Sequence, residues 1–163
     1  MPIIPGHTIT RAQVLAEARS WIGTPYHHRA VRKGPQGGVD CAMLMLGVYG
    51  GVGYVDALDP GKYTPDWFLH RKAERYLNTV LEHADEIDEA RVLPGDIALF
   101  CIGVGANRSG GLYAHGVIVD EPGWPHIIHA TSDAMLVMRD IGTGSGANPR
   151  LAQAKRRFFT IWN

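Results

Sequence analysis

The chain is poor in cysteine, carries no charge excess of either sign, and has no long apolar run. Only two cysteines, Cys41 and Cys101, occur in 163 residues, too few for the disulfide framework that holds small secreted domains together. Sixteen Lys and Arg balance sixteen Asp and Glu, so global charge gives no reason to expect nucleic acid or a membrane surface as partner. No apolar stretch approaches the roughly 20 residues of a membrane-spanning helix, so no membrane insertion is expected. The opening Met1-Pro2-Ile3-Ile4-Pro5-Gly6 lacks the basic region and apolar segment of a signal peptide, and synthesis and folding in the cytoplasm are expected. Repeats and low-complexity tracts are missing too. What is abundant is punctuation: 20 glycines and 10 prolines, spread along the chain rather than gathered in a linker. One domain over residues 1–163, with many turns, is the simplest organisation.

The first half has helical periodicity. Thr10 to Ile22 reads as a helix, with Thr10 and Gln13 spaced for a capping box. Val14, Leu15, Ala18, Trp21 and Ile22 form its buried face, and Gly23 its stop. An irregular, locally basic segment follows through Gly38, holding His27, His28, Arg29, Arg32 and Lys33. It fits a solvated loop and a binding site for carboxylates equally well. A second helix, Asp40 to Tyr49, is apolar nearly all round and belongs in the core. Residues 54–64 read as loop. Pro65 suits the first turn of a third helix running to Ala84, with Phe68, Tyr76, Leu77, Val80 and Leu81 on its apolar stripe.

From Leu93 the period changes to that of strands. Pro94-Gly95-Asp96 forms a turn, and strands are expected at 97–102, 113–120, 126–131, 135–140 and 157–162, with a glycine-rich loop over 103–111. Helices first and strands after them predict an α+β fold with N-terminal helices on a roughly five-stranded antiparallel sheet. Gly142-Thr143-Gly144-Ser145-Gly146 lacks the Lys-Ser or Lys-Thr of a phosphate loop, and the following Asn148-Pro149 opens no clear helix; a surface loop is expected. Lys155-Arg156-Arg157 reads as a solvated strand start.

Chemistry concentrates at Asp40-Cys41. A thiol on the first turn of a helix sits in a partial positive charge of about half an elementary unit, which favours thiolate. Asp40 fits two readings: a charge that raises the thiol pKa against the helix terminus, and a side chain that instead caps the helix. Cys101, within Ile97-Ala98-Leu99-Phe100-Cys101-Ile102, reads as a small apolar strand residue. A cysteine nucleophile needs a base, and the base needs a partner for its second ring nitrogen. His115 and His129 flank the 121–125 turn on adjacent strands. They share a face only where paired residue numbers sum to an even value, and a one-residue slip separates them. The same alternation sends His126 to the other face, so His126, His129 and His115 do not converge as zinc ligands.

Trp21-Ile22-Gly23-Thr24-Pro25-Tyr26, Asp40-Cys41, Pro94-Gly95-Asp96, Ala114-His115-Gly116-Val117-Ile118 and Ile127-Ile128-His129-Ala130 occur in that order. Together they resemble the NlpC-type, papain-like cysteine peptidases that hydrolyse cell-wall peptides. Arg19-Ser20 before Trp21, Tyr63-Thr64-Pro65-Asp66-Trp67 and Arg156-Arg157-Phe158-Phe159 are similar to the subgroup found in phage tails and gene transfer agents. The resemblance implies a papain-like fold, with Cys41 as nucleophile, His115 as base and His129 as the third polar residue. It places Tyr26 beside the active site, where it fits both a lid on the core and a hydroxyl polarising the scissile carbonyl. Asp40 matches an aspartate that in some members contacts the substrate's amino group. The implied reaction is amide hydrolysis through a thioester, commonly between D-glutamate and a diamino acid of peptidoglycan stem peptides. No metal or organic cofactor is implied; tail-tip proteins are the implied protein partners and a phage-like tail the implied location. One departure stands out. The common Asp-Cys-Ser-Gly is here Asp-Cys-Ala-Met, and Ala42 removes a hydroxyl next to the nucleophile. An inactive structural tail-tip component and a cytosolic amidase acting on wall fragments are the alternative expectations.

Overall fold

The structure, a computed structural model, describes residues 8–55, 75–102 and 112–162. Helix α1 spans Arg11–Ser20, and two short strands, β1 (Val31–Arg32) and β2 (Gly38–Val39), precede α2 (Cys41–Gly51). Helix α3 (Arg75–His83) leads to β3 (Asp85–Ile87), β4 (Ile97–Cys101), β5 (Tyr113–Val119), β6 (His126–Thr131) and β7 (Leu136–Ile141). A short helix α4 (Pro149–Gln153) and strand β8 (Arg156–Thr160) follow. The expected α+β, papain-like architecture is present, with six strands in the main sheet rather than about five. Their order is β3-β8-β4-β5-β6-β7, and every pairing is antiparallel.

The extra strand is β3. Its Asp85 and Glu86 gave no apolar alternation to read, and it forms at the sheet edge because β8 offers a partner: Ile87 lies opposite Phe158 and Glu86 opposite Phe159. The expected third helix is described only from Arg75 onward; Pro65, Phe68 and the Tyr63–Trp67 segment lie outside the described residues, as do most of the 54–64 and all of the 103–111 loops. Leu81 and Ile22, assigned to buried faces, are exposed. Ile22 falls beyond the last turn of α1, whose C-cap is Trp21, so the helical spacing no longer governs it.

Helix α1 starts as its sequence dictates. Gln13 N–H donates to Thr10 Oγ1 at 3.2 Å, and Thr10 N–H donates to Gln13 Oε1 at 2.8 Å, the reciprocal box that satisfies two free donors. Helix α2 is buried from Cys41 through Tyr49. Gly47 makes this possible, because a Cβ there would lie 2.6 Å from Trp21 Cζ2. Val14, Trp21, Leu44, Val48, Leu99, Ile118 and Ile128 form the core on this side of the sheet. Each such aliphatic side chain contributes roughly 1.5–3 kcal/mol by leaving water.

The opposite sheet face carries Ala98, Phe100, Val117, Ile127 and Phe158, covered by Leu151 of α4. The α4 turn corrects the sequence expectation at Asn148-Pro149. Asn148 Oδ1 accepts from Arg150 N–H at 2.9 Å, and Pro149 occupies the first helical position, where its missing N–H costs nothing. Pro94-Gly95-Asp96 ties helices to sheet. Arg11 Nη1 donates to Asp96 Oδ1 at 2.9 Å, and Tyr49 donates from its hydroxyl to Gly95 O at 2.6 Å.

Candidate active site

Asp40 and Cys41 form the junction between β2 and α2. The Asp40 backbone is extended, and its Oδ1 accepts from Met43 N–H at 2.9 Å, so the aspartate caps the helix. Its Oδ2 accepts from Arg29 N–H at 2.9 Å, which anchors the basic 27–33 loop. Both oxygens of this buried side chain are thereby engaged by the chain's own backbone.

Cys41 opens the helix with 8% of its surface exposed. Its thiol donates to Ala114 O at 3.5 Å, which lays the sulfur against β5. Burial, followed by the Asp40 carboxylate, pushes the thiol up to about 12, against the helix-terminal and Gly116 backbone N–H groups that favour the anion. Asp40 therefore does both things its position allows, and desolvation outweighs the helix terminus. Cys41 therefore rests as a thiol.

Strand register assembles the imidazoles. Ile118 pairs with Ile128 and Val119 with Ile127, sums of even value, so His115 and His129 share a face as the alternation requires. The offset is two residues from direct opposition, placing the two rings diagonally across the strands. His115 Nε2 and His129 Nδ1 are 2.9 Å apart, with ring planes at 75°. His126 falls on the other face, and among the described residues no group of three or more His, Cys, Asp or Glu is placed to hold a metal.

A residue the sequence reading missed completes the chain. Asp140 Oδ2 lies 2.9 Å from His129 Nε2, while its Oδ1 accepts from Ile141 N–H at 2.8 Å. Ile127 pairs with Asp140 and His129 with Met138 on β7, so Asp140 projects from the same face as His129, one diagonal step away. The same parity argument, extended across the 131–136 turn, was the signal available for it.

These contacts fix the protons. A carboxylate only accepts, so His129 carries its hydrogen on Nε2 and presents a bare Nδ1. His115 then donates from Nε2 and keeps the lone pair on Nδ1. Burial, the neighbouring His129 and Arg150 depress His115 to about 3. Burial also lowers His129, against the opposing pull of Asp140. Both rings are neutral near pH 7, and His115 Nδ1 is an acceptor. Cys41 Sγ and the His115 ring are not hydrogen-bonded to each other in this resting arrangement; the thiol proton rests on Ala114 O.

Tyr26 is brought in by the Gly23–Tyr26 strap. Gly23, at φ +89°, donates its N–H to Val137 O at 2.9 Å, and Tyr26 N–H donates to Met135 O at 2.8 Å. The side chain lines a hollow together with His115, His129, Asp133 and Arg150. Burial, then the proximity of Cys41 and Asp40, pushes its phenol up to about 12, so it remains a hydrogen-bond donor. Cys101 is buried in β4, as a packed strand residue should be. In the structure, then, Cys41, His115, His129 and Tyr26 gather around the start of β5, and Asp40 supports them from within.

Solved structures with the same architecture are NlpC/P60 domains. The P60 domain of an antigen from M. avium subspecies paratuberculosis superposes with a TM-score of 0.57 at 16% identity, over 94% of this chain and 95% of that one. RipD of Mycobacterium tuberculosis, a non-catalytic NlpC/p60 domain protein adapted to peptidoglycan binding, gives 0.59 at 12% identity, over 95% and 99%. The NlpC/p60 domain of the peptidoglycan hydrolase SagA gives 0.54 at 24% identity, over 91% and 97%. The fold is thus that of NlpC/P60 domains. The sequence matches no family model and no curated protein.

Proposed function

We propose that this chain is a cysteine peptidase that hydrolyses amide bonds of peptidoglycan stem peptides, at the bond between D-glutamate and the diamino acid. The observation that carries the proposal is the ordered His115–His129–Asp140 chain, which leaves an acceptor nitrogen on His115, the residue after the Ala114 carbonyl that accepts from the Cys41 thiol. A buried file of polar side chains costs stability unless it is fully satisfied, and this one leaves the His115 Nδ1 lone pair to receive a proton.

In the proposed reaction Cys41 sulfur attacks the scissile carbonyl carbon as His115 Nδ1 takes the thiol proton. Transfer at the moment of attack suits a thiol that rests neutral and a base that rests neutral. The Cys41 backbone N–H at the helix terminus and the Tyr26 hydroxyl are the donors for the developing oxyanion. Collapse breaks the C–N bond, and the departing amine takes the proton from His115. Water then adds to the thioester with His115 again as base, releasing the carboxylic acid and restoring the thiol. His129 keeps the ring of His115 in its accepting tautomer. An Asp40 contact with a substrate amine would have to form alongside the two backbone bonds it already accepts.

The test is digestion of purified muropeptides by wild type and Cys41→Ala, read by mass spectrometry. Wild-type cleavage of the D-glutamyl bond and none by the variant is expected; undiminished cleavage by Cys41→Ala removes the nucleophile assignment. Residence in a phage or gene transfer agent tail is a further proposal, supported by the Arg19–Tyr26 and Arg156–Phe159 segments. Immunoblots of purified particles test it, and absence of the chain from them refutes it. A peptidoglycan-binding role without hydrolysis is the second reading. It is favoured by the absence of a sulfur–imidazole hydrogen bond and by Ala42-Met43 after the cysteine.

A further inference from the structure

We propose that the hollow beside His115 is a carboxylate-binding subsite, in which Arg150 selects peptides bearing a free carboxylate next to the scissile amide. The proposal rests on the stem-peptide reading for the identity of that carboxylate, and on the geometry for its recognition.

The hollow is lined by the proposed base and its partner, His115 and His129, and by Asp133 and Arg150. Arg150 is the one lysine or arginine among its described lining residues. The α4 turn holds it there: its own N–H is fixed by Asn148, and the adjoining Leu151 is buried in the core at 4% exposure. The backbone is anchored while the guanidinium stays open.

That guanidinium is underused. It has five N–H donors, and among the described residues its one hydrogen-bonded partner is Asp133, reached from Nη1 to Oδ1 at 3.4 Å. This is long beside the 2.7–2.9 Å of a charge-assisted bond and engages one arm of a fork built for two. Asp133 is itself shared, since its Oδ2 accepts from Asn148 Nδ2 at 2.6 Å. Both partners of the Arg150–Asp133 pair are exposed, so solvent screens their attraction. Asp133 therefore acts as a placeholder that a better-aligned carboxylate displaces. Asp140 is committed to His129.

The imidazole that shares the hollow gives the subsite a consequence. The charge of Arg150 opposes protonation of His115. A bound substrate carboxylate offsets that charge, so the base becomes more willing to take the thiol proton once the correct peptide is seated. Recognition and activation are joined through one side chain.

Binding to Cys41→Ala, followed by calorimetry, tests this independently of hydrolysis. The probes are a stem tripeptide, L-alanyl-γ-D-glutamyl-diamino acid, with both flanking carboxylates free, and two versions in which one or the other is a carboxamide. One of the two carboxamides is expected to bind about 10–100-fold more weakly than the free acid, the range of a charged hydrogen-bonded pair. Adding Arg150→Gln should bring the free acid down to the level of that carboxamide, Arg150→Lys should fall between, and Asp133→Asn should tighten the free acid. Circular dichroism confirms that each variant is folded. A preference that survives Arg150→Gln, equal binding of all three peptides, or no binding at all overturns the subsite. Wild-type hydrolysis is scored separately. Selective binding without cleavage keeps the subsite and rejects the peptidase, whereas cleavage without selectivity does the reverse.

Discussion

The two sides of β5 are built on opposite principles. On the helix side lies Cys41, opening a helix buried over nine successive residues, its sulfur against a strand backbone and the neighbouring Asp40 carboxylate engaged by the backbone N–H groups of Met43 and Arg29. On the other side His115, His129 and Asp140 form a polar file whose members satisfy one another and which opens onto a hollow. The difference explains the resting state. An apolar setting raises the thiol, a file of imidazoles ending in a carboxylate fixes tautomers, and neither side alone yields a nucleophile. Catalysis on this reading belongs to the strand between them, because β5 supplies both the carbonyl that takes the thiol hydrogen bond and the ring proposed to remove the proton.

The sharpest way to break that comparison is to disarm the polar side without touching the thiol. Asp140→Asn removes the charge but keeps the shape. The expected loss in kcat/KM is about 10²–10⁴-fold, the range supplied by general-base assistance, with the melting transition retained and Asp140→Glu recovering part of the rate. The ¹⁵N shifts of His129 should show its hydrogen leaving Nε2 in a fraction of molecules. If kcat/KM stays within about twofold, below any general-base contribution, the file is structural and the thiol acts without it.

A change at the strand itself should disturb both sides at once. A Cβ on Gly116 would overlap the Tyr76 hydroxyl and lie 2.7 Å from Tyr76 Cζ and 3.1 Å from Leu99 Cδ2. Tyr76 in turn donates to Cys41 O at 3.3 Å. Gly116→Ala is therefore expected to cost about 1–3 kcal/mol in urea unfolding, as overpacked cores do, and to lower activity further by moving the cysteine. Pairing it with Tyr76→Phe should recover part of the stability. A fully stable Gly116→Ala would show that the thiol side is looser than its packing implies.

These residues also show what could be read from sequence and why the rest could not. The capping box of α1, the Asp40 cap and the apolar α2 are local, and local chemistry survives the loss of tertiary information. His115 and His129 were legible one step further out, because strand alternation restricts two positions once a hairpin is granted. Asp140 needed a second register, across β6 and β7, and a strand reading that began at Met135 gave no reason to aim it at His129. Strand β3 was hidden for a similar reason: its pairing with β8 joins residues far apart in sequence. Arg150 stayed out of view because Asn148-Pro149 argues against a helix after the glycine-rich loop, although an Asn cap followed by proline starts one.

Acid should expose the polar side before the apolar one. His115 is depressed to about 3 and His129 is lowered as well, whereas both take up protons near 6.5 in the unfolded chain. The folded state thus holds fewer protons below pH 6.5. The contribution of these rings is complete above that value and declines as pH falls toward 3, at about 1.4 kcal/mol per pH unit for one proton. Urea unfolding between pH 7 and 4 should show this slope, and His115→Asn should make it shallower. The acid limb of kcat/KM should fall below 6.5. A limb at or above 6.5 would mean that His115 is not the buried neutral base of this structure.

The smallest effect expected is also the most discriminating, because it separates the two roles of Asp40. Asn at this position keeps one oxygen for the Met43 or Arg29 N–H and turns an amide donor toward the other. Asp40→Asn should therefore lose roughly 1–3 kcal/mol of stability, the cost of leaving one buried donor unmet. Yet it removes the negative charge that, after burial, holds the Cys41 thiol up. A fall of about half a pKa unit triples the thiolate fraction at pH 7. Iodoacetamide should accordingly alkylate Cys41 a few-fold faster in the less stable protein, measured under conditions where both proteins are fully folded. Slower or unchanged alkylation would mean that Asp40 matters to the thiol only as a helix cap, and that burial alone sets the reactivity of the apolar side.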